Sequence, residues 1–245
     1  MNGLLLSLYA IIRDNENAVG YNSSQLGNQN NFKTVAFNTV GYNTADVQDI
    51  KIVGSQGFGG ETFSVWEGLP TVVEGTDFMW VGTAWDDQTG LATDGYWMDM
   101  LTGAEAEFSI PGGQAIVISA TEGIGIRNAG QVPTEKVTFT AIDGNNFTGN
   151  PFPAAIDVQN IKIIGSYGYG GETFSVWEGL PTVVEGTDFM WVGTAWDDQT
   201  GLATVGYWMD MLSGAEAEYS ILPNQGVVIN AAAGLTIEIE PPYSL

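Results

Sequence analysis

The sequence contains neither cysteine nor histidine among its 245 residues. The absence of cysteine excludes disulfide bonds and thiolate nucleophiles, and the absence of histidine excludes Ser-His-Asp and Cys-His catalysis. The usual zinc and copper sites lose their main ligands as well. A glycosidase needs only two facing carboxylates, but no pair stands out from the many acidic residues here. We therefore expect a protein that is not an enzyme.

Basic residues are also scarce, since 6 Lys and Arg stand against 29 Asp and Glu, for a net charge of −23. A surface of this charge repels phosphate backbones and anionic lipid head groups. We expect no binding to nucleic acid. The apolar stretch from Leu4 to Ile12 is too short to cross a bilayer as a helix, so we expect no membrane span.

The chain contains nearly the same segment twice. Residues 61–110 and 172–221 are identical at 47 of their 50 positions, with a constant offset of 111 residues. A period of this length fits a whole small domain better than a solenoid repeat. We predict an N-terminal apolar strand and connector (1–31), a first module (32–128), a linker (129–133) and a second module (134–245).

Hydrophobic residues alternate along short runs that Gly or Pro separates, which is typical of β-strands. Ile50 and Ile52, for example, point to one side of a strand and Lys51 to the other. The sequence therefore predicts an all-β protein of two tandem β-sandwich modules, of jelly-roll or immunoglobulin-like type.

An acidic loop occurs once in each repeated segment. Neither segment contains a Lys or Arg, and the loops read Asp-Asp-Gln-Thr-Gly at 86–90 and at 197–201. Because Ca²⁺ prefers oxygen ligands, the candidate metal ligands are Asp86, Asp87, Asp197 and Asp198, with calcium as the implied cofactor. The spacing does not match an EF-hand, so a solvated Asp-rich turn is the alternative.

All eight tryptophans lie in the repeated segments. Trp66 should lie on the same side of its strand as Thr62 and Ser64, where a stacking platform for sugar rings or an anchor for a partner would be exposed. The predicted contact residues are Trp66, Trp177, Tyr96 and Tyr207. The alternative is that the tryptophans fill the cores of small sandwiches that are poor in leucine.

The N-terminal stretch LLLSLYAII resembles the core of a short signal peptide, although no basic residue precedes it. As an extended strand it could complete the sheet of a neighbouring copy, and such head-to-tail contacts propagate without closing. The residues predicted to form this assembly strand are Leu4, Leu5, Leu6, Leu8, Ile11 and Ile12.

The string NAVGYNSSQLGNQNNFKTVAFNTVGY, together with the closing runs SIPGGQAIVIS and SILPNQGVVIN, resembles secreted tandem-domain β-proteins of planctomycete and verrucomicrobial bacteria. The resemblance implies an exported surface or matrix protein. It supplies no site residues.

These observations favour a non-enzymatic extracellular structural protein that assembles head-to-tail into a fibre or surface layer by N-terminal strand donation. A tandem carbohydrate-binding protein is the alternative, because duplication raises avidity. A third interpretation is an acidic cytosolic protein whose first strand closes its own sandwich.

Overall fold

The computed structural model describes residues 12–14, 17–38, 44–67, 71–178 and 182–243. In these ranges the chain forms twenty-five β-strands and two one-turn 3₁₀ helices, Val47–Asp49 and Val158–Asn160, and no α-helix. The all-β prediction is confirmed. Nowhere in the described ranges is there a helix long and apolar enough to cross a membrane. The predicted assembly strand lies outside the described residues, except for the backbone of Ile12.

We call the chain up to Gln131 the first half and the chain from Thr134 onward the second half. The strands of the first half are β1 (Ile12–Asp14), β2 (Asn17–Gln25), β3 (Gln29–Thr34), β4 (Thr44–Asp46), β5 (Ile50–Val53), β6 (Phe58–Ser64), β7 (Trp66–Glu67), β8 (Thr71–Val72), β9 (Phe78–Trp85), β10 (Ala92–Asp99), β11 (Ser109–Pro111), β12 (Ala115–Ala120) and β13 (Gly125–Gln131). Those of the second half are β14 (Val137–Thr140), β15 (Gly144–Gly149), β16 (Ile156–Asp157), β17 (Ile161–Ile164), β18 (Tyr169–Ser175), β19 (Trp177–Glu178), β20 (Thr182–Val183), β21 (Phe189–Trp196), β22 (Ala203–Asp210), β23 (Ser220–Ile221), β24 (Gly226–Ala231) and β25 (Thr236–Ile239).

The same strand order recurs in the two halves. A five-stranded sheet has the order β10-β9-β6-β12-β3 in the first half and β22-β21-β18-β24-β15 in the second. A smaller sheet has the order β2-β13-β5 in the first half and β14-β25-β17 in the second, and β1 extends it beyond β2. All the strand pairs of these four sheets are antiparallel.

Each half has its own hydrophobic core between its five-stranded sheet and its smaller sheet. In the first half, Ile50 and Ile52 of the smaller sheet join Phe63, Trp80 and Trp97 of the larger one in a single buried cluster. The corresponding residues of the second half form an equivalent cluster. The predicted inward side of β5 is therefore correct, because alternate residues of a strand face opposite sides.

A partly buried glutamine side chain joins two backbone segments in each half. The Gln48 side-chain amide donates to the carbonyl oxygens of Trp97 at 2.8 Å and Ala106 at 2.9 Å, and its oxygen accepts from the Trp97 N–H at 2.9 Å. The Asp46 carboxylate caps the 3₁₀ helix by accepting from the Gln48 N–H at 2.8 Å, which fixes the position of this side chain. Gln159 makes the same contacts in the second half. In the first half these bonds join the 3₁₀ helix to the backbone of Trp97 and to that of Ala106.

The two halves contact each other through a third buried cluster. Phe32 of the first half stacks on Phe147 of the second, with ring centroids 5.6 Å apart and planes at 9°. Trp66 and Trp177 each meet both phenylalanines edge-on, at centroid distances between 5.5 and 6.1 Å. Each half thus contributes one Phe and one Trp, so the interface has approximate twofold symmetry.

Hydrogen bonds between the halves flank this aromatic cluster. The Thr34 hydroxyl donates to the Asn150 carbonyl at 2.6 Å, and the Thr148 hydroxyl donates to the Gly113 carbonyl at 2.7 Å. At Gly226 a Cβ atom would lie only 2.8 Å from the backbone of Phe32. The close approach of the two halves therefore requires glycine at this position.

The stacked pair predicts a measurable coupling. Phe147 is 5% exposed, so Phe147→Ala should lower the free energy of unfolding by about 3–5 kcal/mol in urea denaturation. A double-mutant cycle with Phe32→Ala should give a coupling energy of about 0.5–1.5 kcal/mol beyond simple area effects. Leu212→Ala, at a residue that is 98% exposed, is the control and should change stability by less than about 0.5 kcal/mol. Strict additivity of the two Phe substitutions would contradict the contact.

Candidate functional site

Each half exposes a cluster of aromatic side chains at one end of its five-stranded sheet. The first aromatic platform consists of Phe58, 78% exposed, and Trp85, 44% exposed, with centroids 6.2 Å apart and planes at 28°. The second aromatic platform consists of Tyr167, Tyr169 and Trp196, and Tyr169 is 80% exposed. Exposed groups of large apolar side chains mark interaction sites, whereas single ones are ordinary.

A loop before β6 positions the first platform. The Ser55 hydroxyl donates to the buried Glu61 carboxylate at 2.6 Å and accepts from the Gly57 N–H at 2.8 Å. The Trp85 indole N–H donates to the Gln56 carbonyl at 2.8 Å. Gly57 has φ +73°, and a Cβ atom there would lie 2.7 Å from Gly82. Hydrogen bonds and close backbone packing thus hold the loop against β9.

The second half repeats this arrangement. Its side-chain contacts join Ser166 to Glu172 at 2.7 Å and Trp196 to the Tyr167 carbonyl at 2.8 Å. The two platforms therefore have the same backbone support, and only the side chains that they present differ.

Strand pairing relates one further tyrosine in each half to the platforms. Phe58 pairs with Val81, and Val81 pairs with Tyr96 on the next strand. Residues paired across antiparallel strands share a face, so Tyr96 lies about 10 Å from Phe58, two strand spacings away. Tyr169, Val192 and Tyr207 form the equivalent row. The pairing places the predicted contact residues Tyr96 and Tyr207 two strands away from Phe58 and Tyr169, and their role in binding stays a prediction.

The structure does not place Trp66 and Trp177 there. The Trp66 indole donates to the Ser64 hydroxyl at 3.0 Å, so it lies on the predicted side of its strand. The other half of the chain covers that side, leaving Trp66 only 7% exposed and Trp177 partly buried in the same cluster. The prediction of an exposed stacking platform at these tryptophans is wrong, because it left out the packing of one half against the other.

The exposed aromatic residues of the two platforms were not predicted from the sequence as contact residues. They are Phe58, Trp85, Tyr167, Tyr169 and Trp196. A signal was present, because aromatic residues alternate with glycines in GSQGFGG and GSYGYGG. An aromatic residue in a glycine-rich loop has few neighbours that could bury it.

The acidic loops form capped turns. One carboxylate oxygen of Asp86 accepts from the Gln88 N–H at 3.1 Å and from the Thr89 N–H and hydroxyl at 2.7 and 2.8 Å. The Thr89 hydroxyl, followed by the Thr89 backbone, lowers the pKa of Asp86. Gly90 closes the turn at φ +68°. The same Asp-x-x-Thr/Ser-Gly pattern recurs at Asp99, Asp197 and Asp210, each with an Oδ1 that accepts turn N–H groups.

These turns do not assemble a cluster of acidic ligands. Across the part of the chain that the structure describes, no three Asp, Glu, His or Cys residues group closely enough to hold a metal ion. Asp87 and Asp198, the other predicted calcium ligands, are exposed beside the capped residues. The loops are thus capped Asp-rich turns, and calcium binding by them stays a prediction.

Grooves run along the contact between the halves, and two of them flank the aromatic cluster. One, of about 580 Å³, is lined by residues that include Asn30, Trp177 and Gln225, and its smaller counterpart of about 230 Å³ includes Trp66 and Asn146. One amide in each groove already has its partners. Gln225 bonds the Tyr219 hydroxyl and the Leu222 N–H, and Asn146 donates to the carbonyls of Ile142 and Gly144. These paired amides make the grooves weaker candidates than the aromatic platforms.

Comparison of the chain with protein-family models, with curated proteins and with solved structures found no match.

The capped turns predict a specific pH dependence. Asp197 has a lowered pKa, mainly through the Thr200 hydroxyl, so its contribution to stability is present above the unfolded pKa and is lost as the pH falls through the folded one. The stability difference between wild type and Asp197→Asn should therefore be largest near neutral pH and shrink below about pH 4. Chemical denaturation across this range measures it.

Asp198→Asn is the matched control, because it removes a charge of the same sign at the neighbouring residue, whose exposed carboxylate does not accept the hydrogen bonds of the turn. A stability difference with the same pH dependence in both variants would contradict the capping role of Asp197.

Proposed function

We propose that the protein is a non-enzymatic extracellular carbohydrate-binding protein made of two tandem β-sandwich modules, each with one aromatic platform. The observation that carries this proposal is the exposure of nearly parallel aromatic rings at the same place in both halves. Aromatic rings present large, rigid apolar faces with a negative π surface, and the C–H groups of sugar rings pack against such faces. Extracellular location agrees with the motif resemblance described above.

The charge of the protein restricts the class of carbohydrate. The net charge is −23, and Asp86 and Asp87 directly follow Trp85 of the first platform. Carboxylated or sulfated glycans would be repelled by this surface. Neutral polysaccharides are therefore the proposed ligands, and the exposed Asp87 carboxylate is available to accept hydrogen bonds from sugar hydroxyls.

Two platforms on one chain suit a polymeric ligand. Once one platform is bound, the other samples the same polysaccharide at a high effective concentration.

For the first module we place the start at β2 rather than at residue 32, because β2 pairs with β13 along seven residues. The segment proposed from sequence as a connector thus supplies a strand of that module.

The aromatic platforms predict the effect of truncation. Phe58→Ala and Tyr169→Ala should each weaken binding to insoluble neutral polysaccharides, by about 0.5–1.5 kcal/mol per lost aromatic contact, and the double variant should bind least. Depletion assays on cellulose, xylan, mannan and chitin measure this.

Leu212→Ala is the control, because it removes an exposed apolar side chain at a turn outside both platforms. Failure of the wild type to bind any of these polymers, or unchanged binding by the double variant, would refute the proposal.

A second candidate function is head-to-tail assembly into a fibre or surface layer. The observation that favours it is a difference between the two smaller sheets at one edge. β1 covers the outer edge of β2, whereas β14, the equivalent strand of the second half, pairs only with β25 among the described strands. An open edge is a template for another strand, and the apolar segment Leu4–Ile12 of a second copy is the proposed donor.

Deletion of Met1 to Arg13 tests this assembly. If the segment pairs in trans, the truncated protein should stay folded but no longer form the filaments that electron microscopy would show for the full chain. If it pairs in cis, as Ile12 does with Val19, the deletion should lower stability and leave the oligomeric state unchanged. Filaments formed by the truncated protein would exclude strand donation.

A further inference from the structure

The two repeats differ mainly around the aromatic platforms. Over residues 54–110 and 165–221, only five positions differ at the 111-residue offset. Two of them are platform positions, where Gln56 and Phe58 are replaced by Tyr167 and Tyr169. A segment copied this closely has kept its core and its turns, so its changes at exposed positions alter what each half presents to a partner.

A third difference lies beside the platforms. Asp94 of the first half corresponds to Val205 of the second. Val205 is 57% exposed and pairs with Ala195, the residue before Trp196. In the first half, Asp94 lies 4.0 Å from the Lys51 ammonium group. The exchange therefore replaces a charged position with an exposed apolar one beside the second platform.

The second platform is also longer. Tyr167 and Tyr169 are nearly parallel, at 8° and 6.3 Å between centroids, and Tyr169 continues to Trp196 at 27° and 6.3 Å. The first platform has only the Phe58–Trp85 pair, because Gln56 takes the place of the third ring. Tyr167 and Tyr169 also add two hydroxyls that have no hydrogen-bond partner among the described residues, and each can donate to a sugar hydroxyl.

We infer that the two platforms have different specificities, with Tyr167 and Gln56 as the determining pair. Tyr167 extends the second platform so that it holds a longer stretch of a neutral glycan more tightly. Gln56 restricts the first platform to a shorter stretch. This inference rests on the proposed carbohydrate-binding function, and it adds that the duplicated sites are not equivalent.

Single-platform variants of the full chain test the inference. Phe58→Ala leaves the second platform, and Tyr169→Ala leaves the first. Calorimetric titration uses the trimers and hexamers of β-linked glucose, xylose, mannose and N-acetylglucosamine as probes. We expect the second platform to prefer a hexamer over its trimer, and the first platform to bind both alike.

Exchange of the determining residue should then transfer the preference. In the Phe58→Ala background, Tyr167→Gln should weaken hexamer binding by roughly three- to tenfold, the size expected for one aromatic contact, and remove the length preference. In the Tyr169→Ala background, Gln56→Tyr should strengthen hexamer binding. Because only the carbonyl of Tyr167 bonds Trp196, the side-chain exchange leaves that support in place, and thermal melts confirm folding.

The outcomes separate the inference from the function on which it rests. Binding by both platforms with equal affinity and no effect of either exchange would overturn the inference and leave carbohydrate binding intact. Absence of binding by the wild type to every probe, and to the insoluble polymers, would overturn both. Transfer of the length preference with residue 56 or 167 would establish the inference.

Discussion

The stacking of Phe32 on Phe147 decides which surfaces of the molecule are buried and which stay open. This pair and its two edge-on tryptophans bury one end of the outer face of each five-stranded sheet. Phe58 lies at the other end of β6, where it pairs with Val81, about 10 Å along β9 from the pair of Phe63 with Phe78. The contact between halves therefore leaves both aromatic platforms uncovered.

The repeated segments contribute both to the cores of the two halves and to the interface between the halves. The identical segments supply a large part of the buried core and the same capped turns in each half. They also supply both partners of an interface with itself, through Trp66 and Trp177. Differences between the halves are tolerated at Gln56 and Tyr167 because the support of that loop comes from the backbone, from Ser55 or Ser166 and from a tryptophan indole.

The sequence predicted local structure better than contacts between distant segments. Alternation correctly gave the all-β class and the buried side of Ile50 and Ile52, because strand periodicity is a local property. Alternation also predicted the side of the strand on which Trp66 lies. It did not predict that the second half covers this side, because periodicity does not show which surface packs there. The composition of 86–90 allowed both a metal loop and a capped turn, and the hydrogen bonds of Asp86 favour the turn.

The approximate twofold symmetry of the interface also has a consequence for contacts between separate chains. Because each half presents nearly the same surface to the other, the first half of one chain fits the second half of another as well as its own. Within one chain the short connection between β13 and β14 favours the intramolecular pairing through its high effective concentration. An exchange of halves between two chains would reuse the same contacts and need no new surface, and the exchanged species would carry four platforms instead of two.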